Sequence, residues 1–153
     1  MLSDGGVYDN LGLETADDFA VLLVSDAGGP FKEKTRVPSL WLLQILRVLD
    51  TIDHQVRALR KRRTFEREAL LPNNVGFWGI RTLLQEYPAA GKLPVDQPRA
   101  NELGSLSTRL AALTDEIQER LINWGYAVSD AALRSFVAKN AAPPTGFPYP
   151  GGV

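Results

Sequence analysis

One short run constrains the fold of this chain more than any other feature. Phe19-Ala20-Val21-Leu22-Leu23-Val24 is continuously apolar and stops at Ser25-Asp26-Ala27-Gly28-Gly29-Pro30, which continues neither a strand nor a helix. A short apolar run between turn residues reads as a buried strand covered on both faces. The same run is the longest apolar stretch in the chain, far short of the roughly 18 residues that a membrane span requires.

The sequence supplies the helices. From Ser39 to about Ala69, Leu42, Ile45, Leu46, Leu49, Ile52, Val56 and Leu59 recur at three- and four-residue steps, the stripe of one helix face. Ser39 is the expected N-cap, and Pro72 stands just beyond the far end. Arg57, Arg60, Lys61, Arg62 and Arg63 lie toward the C-terminal half, where the helix dipole favours cations. Val75 to Thr82 reads as a second strand, weakened by two glycines. Pro88, Pro94 and Pro98 make the next stretch an irregular connection. Leu106, Leu110, Leu113, Ile117, Leu121, Trp124 and Val128 then form a second helical stripe. Thr114, followed by Asp115 and Glu116, is able to cap a helix of its own, so one long helix and two shorter ones both fit. Ser129 is a candidate start for a further short turn to about Ala138. From Lys139 onward the prolines and glycines predict a disordered tail.

Composition narrows the chemistry. The 153 residues suit one core, and 17 basic against 18 acidic side chains argue against a dedicated nucleic-acid binder. Without cysteine there is no disulfide framework, thiol nucleophile or cysteine zinc site. A single histidine, His54, excludes a multi-histidine metal centre. His54 falls on the polar side of the first long helix and reads as a solvated residue. Trp41, Trp78 and Trp124 read as packing residues. Charge is uneven: residues 1–40 hold seven acids and three bases, residues 41–70 four acids and seven bases. Catalysis, if present, has to be built from carboxylates, hydroxyls and backbone.

Two carboxylates stand out by pattern. Asp4 opens Asp4-Gly5-Gly6-Val7-Tyr8-Asp9-Asn10-Leu11-Gly12-Leu13-Glu14; Gly5 and Gly6 allow a sharp turn and leave room beside the carboxylate. Asp26, in Ser25-Asp26-Ala27-Gly28, echoes it at the end of the apolar run. Strand ends are where α/β proteins gather their sites. Gly28 to Thr35 is not a phosphate loop, because Glu33 stands where a P-loop needs the glycine before Lys-Thr.

The segment Asp4 to Glu14, the strand ending Leu23-Val24-Ser25-Asp26-Ala27-Gly28-Gly29, the helix segment Arg47 to Arg62 and the stretch Arg120-Leu121-Ile122-Asn123-Trp124-Gly125-Tyr126-Ala127 occur in the order seen in bacterial patatin-like phospholipases. Over roughly residues 1–138 the chain resembles the C-terminal portion of that domain. The resemblance implies a three-layer α/β/α sandwich and lipid acyl hydrolysis by a Ser-Asp dyad, with Asp4 as the base and Asp26 as a turn or supporting residue. It implies no metal or organic cofactor. A carboxylate in hydrogen-bond reach of a serine hydroxyl accepts its proton as the serine attacks an ester. The departure from the family is that no G-x-S-x-G occurs in these residues; Gly104-Ser105-Leu106-Ser107 comes nearest and lacks the second glycine. The family's glycine-rich oxyanion segment is likewise missing.

The resulting expectation is an α/β chain in three parts: residues 1–82 as the C-terminal portion of a patatin-like catalytic domain, 83–138 as a helical extension and 139–153 as the tail. Expected partners are a lipid or ester substrate and the N-terminal half of the domain carrying the serine; Arg57 to Arg63 read first as a solvated helix end with local pairs such as Arg62 to Glu66, with contact to an anionic membrane surface as the alternative. A non-catalytic module associating through its helical faces is the alternative.

Overall fold

The computed structural model describes residues 11–16, 18–28, 39–107 and 111–153. In chain order these form α1 (Leu13–Ala16), β1 (Leu22–Asp26), α2 (Trp41–Leu70), β2 (Val75–Gly79), a 3-10 turn (Leu84–Glu86), α3 (Gln97–Leu103) and α4 (Asp115–Phe136). The fold is α/β, as expected. The two strands pair in parallel, with Leu22 opposite Val75 and Asp26 opposite Gly79. Parallel neighbours need a crossover rather than a hairpin, and α2 lies within it.

Alternation along the strands sorts the layers. Leu22, Val24 and Asp26 are buried while Leu23 and Ser25 are exposed. Leu22 and Val24 meet Leu13 and Val75 in a small cluster, with Phe77 packed against it. Phe77 also meets Phe65 of α2, ring centroids 5.3 Å apart. Trp78, the neighbour that points the other way, packs into the larger core with Trp124, Val128, Ala131 and Ala132 of α4. Trp124 Nε1 donates to the Ile80 carbonyl at 3.1 Å, fixing α4 against the chain leaving β2. Helices thus cover opposite faces of β2. Because α4 packs chiefly on β2, Leu23 stays 51% exposed, and β1 is covered on one face rather than the two its apolar run predicts.

The long helix is where the sequence places it, but its apolar stripe is not buried. Leu42, Ile45, Leu46, Leu49, Ile52, Val56 and Leu59 are all exposed, as is Trp41, and Thr64 is the buried residue of the helix. Packing on β2 runs through the C-terminal half, where Lys61 and Phe65 meet Phe77. Ser39 does not cap: Leu40 occupies that position with no side-chain hydrogen bond. The far end is built tightly. Glu68 turns its carboxylate on the following loop and accepts from the N–H groups of Asn73, Asn74 and Val75 at 3.2, 3.3 and 2.9 Å. Asn73 takes the left-handed conformation there (φ 70°), which asparagine tolerates better than most residues.

Thr114 settles the second stripe in favour of a helix that starts at Asp115. Its side chain accepts from Ile117 N–H, and Asp115 and Glu116 complement the helix dipole in the first turn. Leu106 and Leu113 lie outside that helix, Leu110 lies outside the described residues, and the helix runs without a break past Ser129 to Phe136.

Packing continues across residue 82, and the tail carries fixed contacts. Leu84, Tyr87, Ala100 and Leu103 share one core with Trp124 and Val128, and Trp78 and Ile80 pack against it, so residue 82 marks no structural break. The tail is ordered without regular secondary structure. Asn123, fully buried in α4, donates to the carbonyls of Tyr149 (2.9 Å) and Gly152 (2.7 Å) and accepts from Tyr149 N–H (2.9 Å). Val153 is buried in the core and Phe147 packs on it. A buried amide has to be hydrogen-bonded, and the tail backbone supplies the partners that a composition count overlooks. No helix among the described residues is long and apolar enough to cross a membrane.

Candidate functional site

The parallel pair ends with both strands pointing into one cleft of about 350 Å³. Its floor follows from the register. Asp26 closes β1 on the inward-facing side of the alternation and is 7% exposed. Gly79, its partner on β2, carries no side chain to fill the space; a Cβ there would stand 3.1 Å from the Asp26 carbonyl oxygen. That carbonyl accepts from Ile80 N–H at 3.1 Å, which holds the two strand ends together.

The walls come from α2 and from the turn after β2. His54, Arg57 and Lys61 follow one another at helical spacing along the cleft side of α2. Lys61 Nζ forms an ion pair with the Asp26 carboxylate and lies 5.3 Å from the Phe77 ring centroid. Asp26 also accepts from Gly28 N–H at 2.9 Å, an Asx-type turn that explains why the strand stops. A Cβ at Gly28 would stand 2.8 Å from Arg57 Cζ and 2.8 Å from Asp26 Oδ1, so a larger residue there requires these side chains to shift. The Arg57 guanidinium therefore rests directly over the end of β1. Its Nη2 is 3.6 Å from Asp53, and its buried Nε has no hydrogen-bond partner among the described residues. His54 Nε2 is 3.7 Å from Asp50, and its side chain is largely shielded at the cleft edge rather than freely solvated. Across the cleft, Arg81 donates to the Gly104 carbonyl, and Thr82 Oγ1 accepts from Gly79 N–H at 2.8 Å. Behind this wall Tyr87 donates to the Phe77 carbonyl at 2.8 Å; burial, opposed by the Thr82 hydroxyl and assisted by Glu86, raises its pKa above the usual phenol value.

Of the sequence candidates, Asp26 sits in this cleft. Asp4, Gly5 and Gly6 lie outside the described residues. The basic cluster divides: Arg57 and Lys61 line the cleft, whereas Arg60 and Arg63 border a separate hollow with Leu13, Glu14 and Thr64. Lys61, Arg81 and Thr82 were not singled out by sequence as site residues. The spacing of His54, Arg57 and Lys61 on one polar face was a usable signal for the first of them; Arg81 and Thr82 needed the strand register. Among the described residues no group of three His, Asp or Glu side chains gathers as metal donors. The cleft holds one carboxylate, already engaged by a lysine and a backbone N–H, among several cations: an arrangement for holding a negative charge. Comparison with protein-family models, with curated proteins and with solved structures finds no match to the chain.

Proposed function

We propose that this chain is the base-bearing portion of a patatin-like lipid acyl hydrolase, in which Asp4 accepts the proton of a serine carried on another segment. The observation that supports this best is the parallel β1–α2–β2 unit, with a polar cleft at the carboxyl ends of its strands. Open α/β sheets bind and transform ligands at that edge. A Ser-Asp dyad needs a carboxylate near the serine, a turn that leaves room beside it and a sheet to hold both; Asp4-Gly5-Gly6 supplies the first two by its motif. Asp26 suits a supporting role, because Lys61 and Gly28 N–H already engage its carboxylate. The half-exposed Leu23 and the uncovered apolar stripe of α2 fit surfaces that the serine-bearing part of the sandwich would cover. In an enzyme reconstituted with a G-x-S-x-G segment, Asp4→Asn lowers ester turnover by about 10² to 10⁴, the usual worth of a positioned base. Asp26→Asn leaves much of the turnover. Equal losses in the two variants defeat the assignment of roles.

The exposed stripe from Leu42 to Leu59 also favours a second reading, a non-catalytic module that associates through α2. Size-exclusion chromatography of the isolated chain separates the outcomes for that surface. Concentration-dependent association is expected, and a clean monomer with sharp thermal unfolding counts against an association face.

A further inference from the structure

We infer that the cleft at the ends of β1 and β2 is a binding site for a phosphomonoester dianion, gripped by Arg57 and Lys61 from α2 and by Arg81 from the opposite wall. Three basic side chains line the cleft, with His54 at its edge, against the single carboxylate of Asp26. The lining therefore keeps an excess of about two positive charges, which a phosphomonoester matches and a simple carboxylate leaves half compensated. The site is built rather than a chance gathering of surface bases. Asp26 is more than nine-tenths buried and tethers Lys61 from below, so the ammonium stays at the cleft floor. Arg57 is only 14% exposed, its Asp53 contact at 3.6 Å is loose, and it sits against the strand end in space that Gly28 leaves open. Holding a guanidinium so far out of water against a half-exposed carboxylate 3.6 Å away is costly, and an oxyanion in the cleft offsets that cost. Phe77 and Ile80 form apolar wall, which lowers the local dielectric and strengthens each charge–charge contact. The volume, about 350 Å³, lies at the small end of ligand sites and accommodates a phosphate with a short ester arm.

A phosphomonoester arrives either as a soluble phosphate or as the headgroup of a phosphatidic acid-type lipid. The chemistry is shared; only the lipid source rests on the hydrolase reading above. The test is titration of the full 153-residue chain with inorganic phosphate at constant ionic strength, followed by calorimetry and by amide chemical shifts. Saturable binding is expected, weakened by about tenfold or more in Arg57→Gln and several-fold in Arg81→Gln, and unchanged in Arg99→Gln, an exposed arginine outside the cleft. Arg81 is itself exposed, so its variant reports on binding even if Arg57→Gln fails to fold. Absence of saturable binding, or equal weakening by Arg99→Gln, overturns the site. Phosphatidylcholine vesicles containing phosphatidic acid then identify the source. Competition with phosphate supports a lipid headgroup, and phosphate binding without competition supports a soluble phosphomonoester in the same site. None of these measurements depends on ester turnover, so a failed dyad and a failed phosphate site are told apart.

Discussion

Lys61→Met removes the cation that neutralises Asp26 while keeping most of the side-chain volume over Phe77. Asp26 is 7% exposed, so the variant strands a carboxylate at the strand end with the Gly28 N–H still donating to it. Breaking a fully buried pair by removing one partner costs about 3–5 kcal/mol. Here the Lys61 side chain is 33% exposed, so in the variant water replaces the ammonium on that side of the carboxylate and part of the penalty disappears. Loss of the ammonium over the Phe77 ring adds about 0.5–1 kcal/mol. The expected net cost is about 2–3 kcal/mol. Asp26→Asn combined with Lys61→Met removes both charges, and the double variant should be more stable than Lys61→Met alone by about 1 kcal/mol or more. Urea unfolding of the four proteins of the cycle, read at constant m, measures this directly. If the two single losses simply add to within about 0.5 kcal/mol, Asp26 and Lys61 are not energetically coupled and the description of the cleft floor is wrong.

Asn123→Ala deletes three hydrogen bonds to the tail and should cost about 3 kcal/mol, with the Tyr149 amide losing protection in hydrogen exchange; protection equal to the parent chain's would show that Asn123 does not hold the tail. Tyr87 provides a pH signature. Its pKa is raised in the folded chain, so its neutral form is favoured by folding; the associated stability is intact below the ordinary phenol range near pH 10 and falls as pH rises through the raised value. Tyr87→Phe should remove that alkaline decline from the stability profile, and an unchanged profile would place its cause elsewhere.

What the sequence disclosed, and what it did not, divides along physical lines. The run ending at Val24 and the stripe from Leu42 to Leu59 locate a strand and a helix because periodicity is a local property. Whether Leu23 or Leu49 is buried depends on what lies opposite, and no local pattern carries that. Both are exposed. The tail illustrates the converse: its composition predicts disorder, yet Asn123, more than twenty residues away in sequence, supplies the polar anchor and the core receives Val153. In the cleft, Asp26 was visible from its place after an apolar run. Its pairing with Lys61 and the approach of Arg57 over Gly28 arise only when the parallel register sets the helix beside the strand end.

In the proposed function, these residues contribute the base of a Ser-Asp dyad and not its nucleophile. Hydrolysis of a chromogenic carboxylic ester by the purified 153-residue chain, alone and together with a serine-bearing G-x-S-x-G segment, tests it most directly. The expected result is no turnover by the chain alone, turnover on adding the segment, and its loss in Asp4→Asn. Turnover by the chain alone that disappears in Asp4→Asn would contradict it.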